Sequence, residues 1–249
     1  MKNKISGLLK AIVVLIFWLL IWYFISLRIN NNYLFPGIKS TFTSLIDILG
    51  DTNSYMTISF TAIRVICGFI IGGILGVALG VICNRFSLIY ILLNPMFSII
   101  KSTPVASFIV VLWVLLSGDA LSVFIGVLMV MPIVWQSVID GYRSIDVQLM
   151  EVTEIFHFGK IKKFKLLTFP ALKKYLTPAL ITSCGLCWKA EIAAEIIAYT
   201  KKSIGQGIND AKQDLDTSTV FAWTIIIISL SIILEKITRK LLRRFVINA

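Results

Sequence analysis

Long apolar runs separated by short polar segments dominate this chain. About 20 apolar residues are needed to cross a bilayer, and six runs qualify, at roughly 9–27, 59–83, 90–117, 120–140, 175–198 and 219–238. The third is broken by Asn94, Pro95, Lys101 and Pro104. Between the first and second lie a polar linker, Asn30 to Asn32 with Pro36 and Gly37, and a weakly amphipathic stretch near 38–50. The pattern predicts an all-α integral membrane protein, because a helix satisfies its own backbone groups in lipid. It divides into an N-terminal transmembrane helix with an outer linker, residues 1–56, and a core, residues 57–249.

Composition sharpens that picture. Only 15% of residues are charged and the mean hydropathy is +0.89, so no stretch is polar enough for a separate soluble domain. The net charge of +11 would suggest nucleic acid in a soluble protein. Here the charges lie between spans, which makes them orientation signals. With the N-terminus inside, the inner segments hold Lys2, Lys4, Lys10, Arg85, Arg143, the lysines from Lys160 to Lys174 and the basic residues from Lys236 to Arg244. The outer ones hold only Arg28, Lys39, Lys201, Lys202 and Lys212. Both termini are therefore expected on the cytoplasmic side of the cell membrane. The first run, Ala11 to Leu27, is rich in Trp and Phe and lacks a small-x-small site, so it is expected to remain as an uncleaved span.

Two small-residue patterns have structural readings. Gly68, Gly72, Gly76 and Gly80 recur every fourth residue, with Gly73 beside them, a spacing that lets another helix approach closely. Cys184 and Cys187 form a C-x-x-C with no histidine or second pair near it, so packing is expected and no metal site.

One segment is out of character. Residues 144–173 carry Glu151, Glu154, the only histidine, His157, and Lys160, Lys162, Lys163 and Lys165. On a helix over 146–158, Leu149, Val152, Ile155 and Phe156 share one side; Glu151, Thr153, Glu154 and His157 share the other. Gly159 is expected to close that helix in the left-handed conformation. Ile161, Phe164 and Leu167 then form a second short amphipathic segment, ahead of Pro170. The residues alone allow two readings: a helix pair resting on anionic lipid, or a docking element for a soluble partner.

Glu151-Val152-Thr153, Phe164 and Phe169-Pro170-Ala171-Leu172 resemble the EAA loop of ABC-importer permeases. The usual glycine, six residues after the Glu, is here His157, and Thr153 replaces the second alanine. Lys101-Ser-Thr-Pro104-Val-Ala106, Asp140-Gly-Tyr-Arg-Ser-Ile-Asp146, Trp188-Lys189-Ala190 with Ala193-Ala-Glu195, and Gly205-Gln-Gly-Ile208 through Phe221-Ala222 are similar to further segments of the nitrate/sulfonate/taurine branch, in the same order. The resemblance implies a non-enzymatic transport subunit. It would act as a homodimer, pair with an ABC ATPase homodimer that binds ATP and Mg, and receive a small solute from an extracytoplasmic binding protein. No G-x-x-x-x-G-K-[ST] occurs, so this chain has no P-loop of its own. Glu151, Val152, Thr153, Glu154, His157, Gly159, Phe164 and Pro170 would then couple it to the ATPase.

Lys189, Glu191 and Glu195 are ionisable residues in the fifth span, and such residues face a bundle interior, a partner or water. With Lys101, Pro104 and Trp188 they are candidates for the translocation path; an internal salt bridge between helices is the alternative. Arg64 and Lys101 are expected to reach toward the interfaces. A proton-coupled carrier would use the same carboxylates, and a non-transporting membrane assembly subunit would use the loop as a scaffold.

Overall fold

The computed structural model describes residues 2–116 and 118–247, and among them every regular element is helical. In chain order these are α1 (Lys2–Ile29), α2 (Ile38–Gly50), α3 (Thr52–Arg85), α4 (Ser87–Ser102), α5 (Val105–Trp113), α6 (Asp119–Arg143), α7 (Val147–Ile155), α8 (Lys160–Lys163), α9 (Phe169–Ile197), α10 (Ile204–Gln213) and α11 (Thr217–Ile247). A π-helical turn, Phe164–Thr168, joins α8 to α9.

Four of these helices, α1, α3, α6 and α11, are long and apolar enough to cross a membrane. The third predicted run is a broken span: α4 and α5 meet at 102°. The break follows from Pro104, which forces Thr103 out of the helical region (φ −84°, ψ 135°) and ends α4 at Ser102. The fifth predicted run is α9, 29 residues long but less apolar, because it carries Lys189, Glu191 and Glu195. It needs no apolar surface all round, since α3, α5, α6, α10 and α11 all pack against it. The second run is longer than expected: α3 starts at Thr52, where Asp51 accepts a hydrogen bond from the Asn53 N–H at 3.1 Å and caps it.

The glycine stripe sets the topology. Gly68 lies against Val123 and Gly126, Gly72 against Val127 and Val130, Gly76 against Val134, and Gly80 against Val138. Both numbers rise together, so α3 and α6 run parallel, their backbones separated by little more than glycine on one side and valine on the other. The α4–α5 pair must carry the chain back between them. Phe97 packs on Trp135 with ring centres 4.5 Å apart, and Ile109 packs with Leu121 and Ile125, so the pair descends along α6. α9 is antiparallel to α6, since Gly141 meets Leu172 whereas Gly126 meets Cys187 and Glu191. α11 is antiparallel to α9: the Trp188 indole donates to the Ile227 carbonyl at 3.2 Å and Cys184 contacts Thr238. One end of the bundle therefore gathers Arg85, Arg143, α7, α8 and the last turns of α11. The far end gathers the starts of α3, α6 and α11, the end of α9, and α10. α2 lies against α11 at that far end, burying Thr41 and Ile48. From Ile12 to Ile29 no residue of α1 is buried, and the helix is held near Trp22, whose indole donates to the Pro36 carbonyl at 3.0 Å.

Candidate functional site: a loop at one end and a buried ion-pair network at the other

α7 begins at Asp146, whose carboxylate accepts from the Gln148 N–H at 2.9 Å. It ends earlier than its amphipathic pattern predicts, at Ile155. The reason is His157, which takes the left-handed conformation (φ +48°) and lets the Phe158 N–H reach back to the Thr153 carbonyl at 2.9 Å. This corrects the expectation for Gly159, which has φ −60° and ψ 155° and starts α8 instead. The position where the resembling loop carries glycine is thus the one whose backbone needs it, and a histidine bears the strain.

The two sides of α7 are also reassigned. Thr153, placed with the charged residues, is the buried one and donates its hydroxyl to the Met150 carbonyl at 2.7 Å. Leu149, Val152, Ile155 and Phe156 stay exposed, as do Glu151, Glu154, His157 and Gly159. A small side chain at the second-alanine position suits that contact.

The second short helix does not stand alone. α8, the π turn and α9 form one continuous rod, with Lys163 within 3.7 Å of Glu154 on α7 and Lys162 4.1 Å from the centre of the Phe158 ring. Pro170 sits in the first turn of α9, where it has no N–H to give. Just before it the Phe169 N–H pairs five residues back, with the Phe164 carbonyl. The Phe164 and Phe169 rings lie 6.0 Å apart beside this turn.

At the far end a network closes around Arg64. Its guanidinium lies 2.9 Å from Glu195 Oε1 and 2.7 Å from Asp119 Oδ1, and it donates to the carbonyls of Lys201 and Lys202. Thr61 donates to Glu195 Oε2 at 2.9 Å and accepts from the Ile204 N–H at 3.0 Å. Thr61, Arg64 and Glu195 are buried, and α3, α6, α9 and α10 all contribute. Arg64 is thus buried rather than extended to an interface, as its charge alone suggests; its fork is filled by Glu195 and two backbone carbonyls inside the bundle and by the exposed Asp119 at its edge. Gly205 lets α10 close on this site, since a side chain there would strike Glu195.

One turn deeper, Glu191 is fully buried. Its carboxylate occupies a notch made by Gly68 on α3 and Gly126 on α6; a methyl group at either position would overlap it. Oε1 accepts from the Cys187 thiol at 3.3 Å, and Oε2 has no hydrogen-bond partner among the described residues. Glu191 and Glu195 therefore share a face of α9, as their spacing requires, yet only Glu195 meets a cation. Trp188 is buried against α11. Lys189 points the other way and is exposed, with no ion pair among the described residues. Lys101 is exposed in the last turn of α4, its Nζ 6.0 Å from the Trp135 ring centre, and Pro104 is exposed at the α4–α5 bend. The sequence-predicted residues thus fall into three places, and Arg64, Asp119, Thr61, Gly68 and Gly126 join them only in three dimensions.

Fold and charge placement together define a multi-pass helical membrane protein with a structured loop at one end. The profile of the binding-protein-dependent transport system inner membrane component matches residues 68–247, and the chain belongs to that family of transport permease subunits. It is 25% identical over 250 residues to the bicarbonate transport system permease protein CmpB of Synechococcus elongatus, covering 94% of this chain and 88% of that one. It is 24% identical over 244 residues to the putative aliphatic sulfonates transport permease protein SsuC of Bacillus subtilis, covering 96% and 86%. The nitrate import permease protein NrtB of a Synechocystis strain is 25% identical over 138 residues, 54% of this chain and 49% of its own. Among solved structures, an inward-facing MetNI methionine ABC transporter chain superposes with a TM-score of 0.57 at 14% identity, covering 76% of this chain and 93% of that chain, a likeness of fold.

Proposed function

We propose that this chain lines the translocation pathway of an ABC importer. A small solute would arrive from an extracytoplasmic binding protein, and ATP would be hydrolysed by a separate ATPase homodimer docked on α7 and α8. The observation that carries the docking is the exposed apolar set Leu149, Val152, Ile155 and Phe156 on a capped, anchored helix at one end of the bundle. An exposed apolar patch ringed by charge marks a contact surface. The loop end is then cytoplasmic, which agrees with the gathering of Arg85, Arg143 and the loop lysines there.

Lys101 and Lys189 support a path shared between two copies. Both lie well inside spans and both are exposed on the single bundle, whereas a lysine at that depth is placed toward water or protein. We assign these two, with Pro104 at the bend, to the pathway face. We assign Trp188, Glu191 and Glu195 to holding α9 against its neighbours. The relatives named for bicarbonate, aliphatic sulfonates and nitrate make small anions the first solutes to test.

The test is purification of the tagged chain in mild detergent, identification of co-purifying proteins by mass, and solute uptake in vesicles. A P-loop ATPase in near-equal amount, with uptake that requires ATP, is the expected result. Uptake in energised, ATP-free vesicles would replace this reading with proton-coupled transport. A lost complex with unchanged uptake in a deletion strain would replace it with an assembly role.

A further inference from the structure

The dry seam between α3, α6 and α9 holds more acid than base. Glu191 and Glu195 lie one turn apart on the same face of α9, and both are fully buried. Among the described residues Arg64 is the cation that pairs there, and its guanidinium is taken by Glu195 at 2.9 Å and by the exposed Asp119 at 2.7 Å. Glu191 has no ion pair among those residues. What faces it is Gly68 from α3, Gly126 from α6, and, on α9 itself, Cys187 one turn before and Glu195 one turn after.

An ionised carboxylate in that notch would be dry, unpaired and held by a single thiol, which is a weak donor. A charge so placed is neutralised rather than borne. A metal cation is a poor answer, because it takes about six oxygen ligands and the notch is walled by glycine and a thiol. A proton needs no such cage. Oε1 then remains the acceptor for Cys187, and Oε2, which lacks a hydrogen-bond partner among the described residues, becomes a donor. Ser122 is a partner within the same seam. It is fully buried, its hydroxyl lacks a partner among the described residues too, and it stands on α6 one turn before Gly126 and three residues after Asp119. It therefore lies between the turn that touches Glu191 and the one that meets Arg64. Two orphan oxygens on packed helices satisfy each other directly or through one water.

We infer that Glu191 is a buried proton-binding site, a neutral carboxylic acid in the packed bundle with Cys187 on Oε1 and Ser122 as the partner of Oε2. Glu191 is closed off from solvent, so this proton is held and not carried. It couples packing to pH. A carboxyl group opened to water has lost its proton at neutral pH, whereas the packed site keeps it. The packed form binds the extra proton, so its stability falls as pH rises above the ordinary carboxylate range. The packed-to-open ratio drops by up to about tenfold for each pH unit. The other titratable and charged groups around the site, Arg64, Glu195, Asp119 and Cys187, are common to the parent chain and to a variant at Glu191 alone. The inference does not use the permease reading, and its test needs neither solute nor ATP.

The experiment compares the full chain, reconstituted in lipid, with Glu191→Gln and Ser122→Ala. At neutral pH the infrared spectrum should contain a protonated-carboxyl band that Glu191→Gln removes and Ser122→Ala shifts. The melting temperature should fall with rising pH in the parent and fall less steeply in Glu191→Gln, whose amide keeps the shape without titrating. If Glu191→Gln does not fold, the band in the parent and its shift in Ser122→Ala decide alone. A parent spectrum without that band, or one that Glu191→Gln leaves unchanged, overturns the site. Melting raised by sodium chloride and not by choline chloride at equal ionic strength, and only while Glu191 is present, overturns it in favour of a bound cation.

Discussion

The two ends of α9 use charge in opposite ways. At its C-terminal end Glu195 is enclosed with Arg64 and Thr61, the exposed Asp119 closes the guanidinium from outside, and α3, α6, α9 and α10 are tied together through Arg64 and Thr61. At its N-terminal end the lysines of α8 and the π turn stand largely in the open, and the ion pair to α7, between Lys163 and Glu154, is long and solvated. Enclosed charge fixes geometry, because each partner removed leaves another stranded in a dry site. Open charge fixes little within the chain and is left to meet something outside it. Identical residue types therefore serve as fastening at one end and as surface at the other.

The comparison breaks most decisively at Arg64. Arg64→Ala strands Glu195 and should cost about 3–5 kcal/mol, read as a large fall in thermal stability in detergent. Adding Glu195→Gln should recover part of the loss, since the stranded charge is then gone. A stable Arg64→Ala protein would mean that the far end is not fastened through this pair. Gly126→Ala comes next. Its methyl group overlaps the Glu191 carboxylate, and overpacking of this kind costs about 1–3 kcal/mol; Glu191→Ala in the same chain should relieve it, a result that a double-mutant melting series would decide.

At the loop end the expected effects are smaller and run the other way. His157→Gly removes a left-handed strain and should stabilise the chain by about 1 kcal/mol, with coupling retained. Glu151→Lys lies on an exposed position and should leave stability within about 0.5 kcal/mol, while solute-stimulated ATPase activity of the reconstituted complex falls. A large melting shift from Glu151→Lys would erase the distinction between the two ends. Gly159→Pro, which a left-handed Gly159 would not tolerate, should be mild at φ −60°, and normal coupling in that variant is the outcome to check.

Much of the fold could be read before any coordinates. All six apolar runs are helices, the glycine stripe is a helix–helix seam, and Pro104 marks a break. Legibility ended where contacts are long-range or where the backbone departs from a regular period. Nothing in the local sequence joins Arg64 to Glu195, 131 residues away, although an arginine and a glutamate in separate spans invite the pairing. The amphipathic pattern of 146–158 is real and its apolar side is the exposed one, but the helix stops at Ile155, and Thr153, which the pattern puts with the charged residues, is the side chain that is buried. The left-handed residue is His157 and not Gly159 two positions on, and the signal for it is the resembling loop, which carries its usual glycine at that place. Asp51, a capping residue directly ahead of Thr52, marks the start of α3 about two turns before its apolar run begins.

The π turn before α9 carries a consequence for bearing. In an α-helical rod each residue advances the side-chain direction by about 100°, and a π turn acts as one residue spliced in without lengthening the rod by a full step. The compass heading of α8, and with it of Lys160 to Lys163, is therefore set by a single extra residue among Phe164 to Thr168. Relatives that gain or lose one residue here would keep their spans and yet present their basic face toward a different quarter of the horizon.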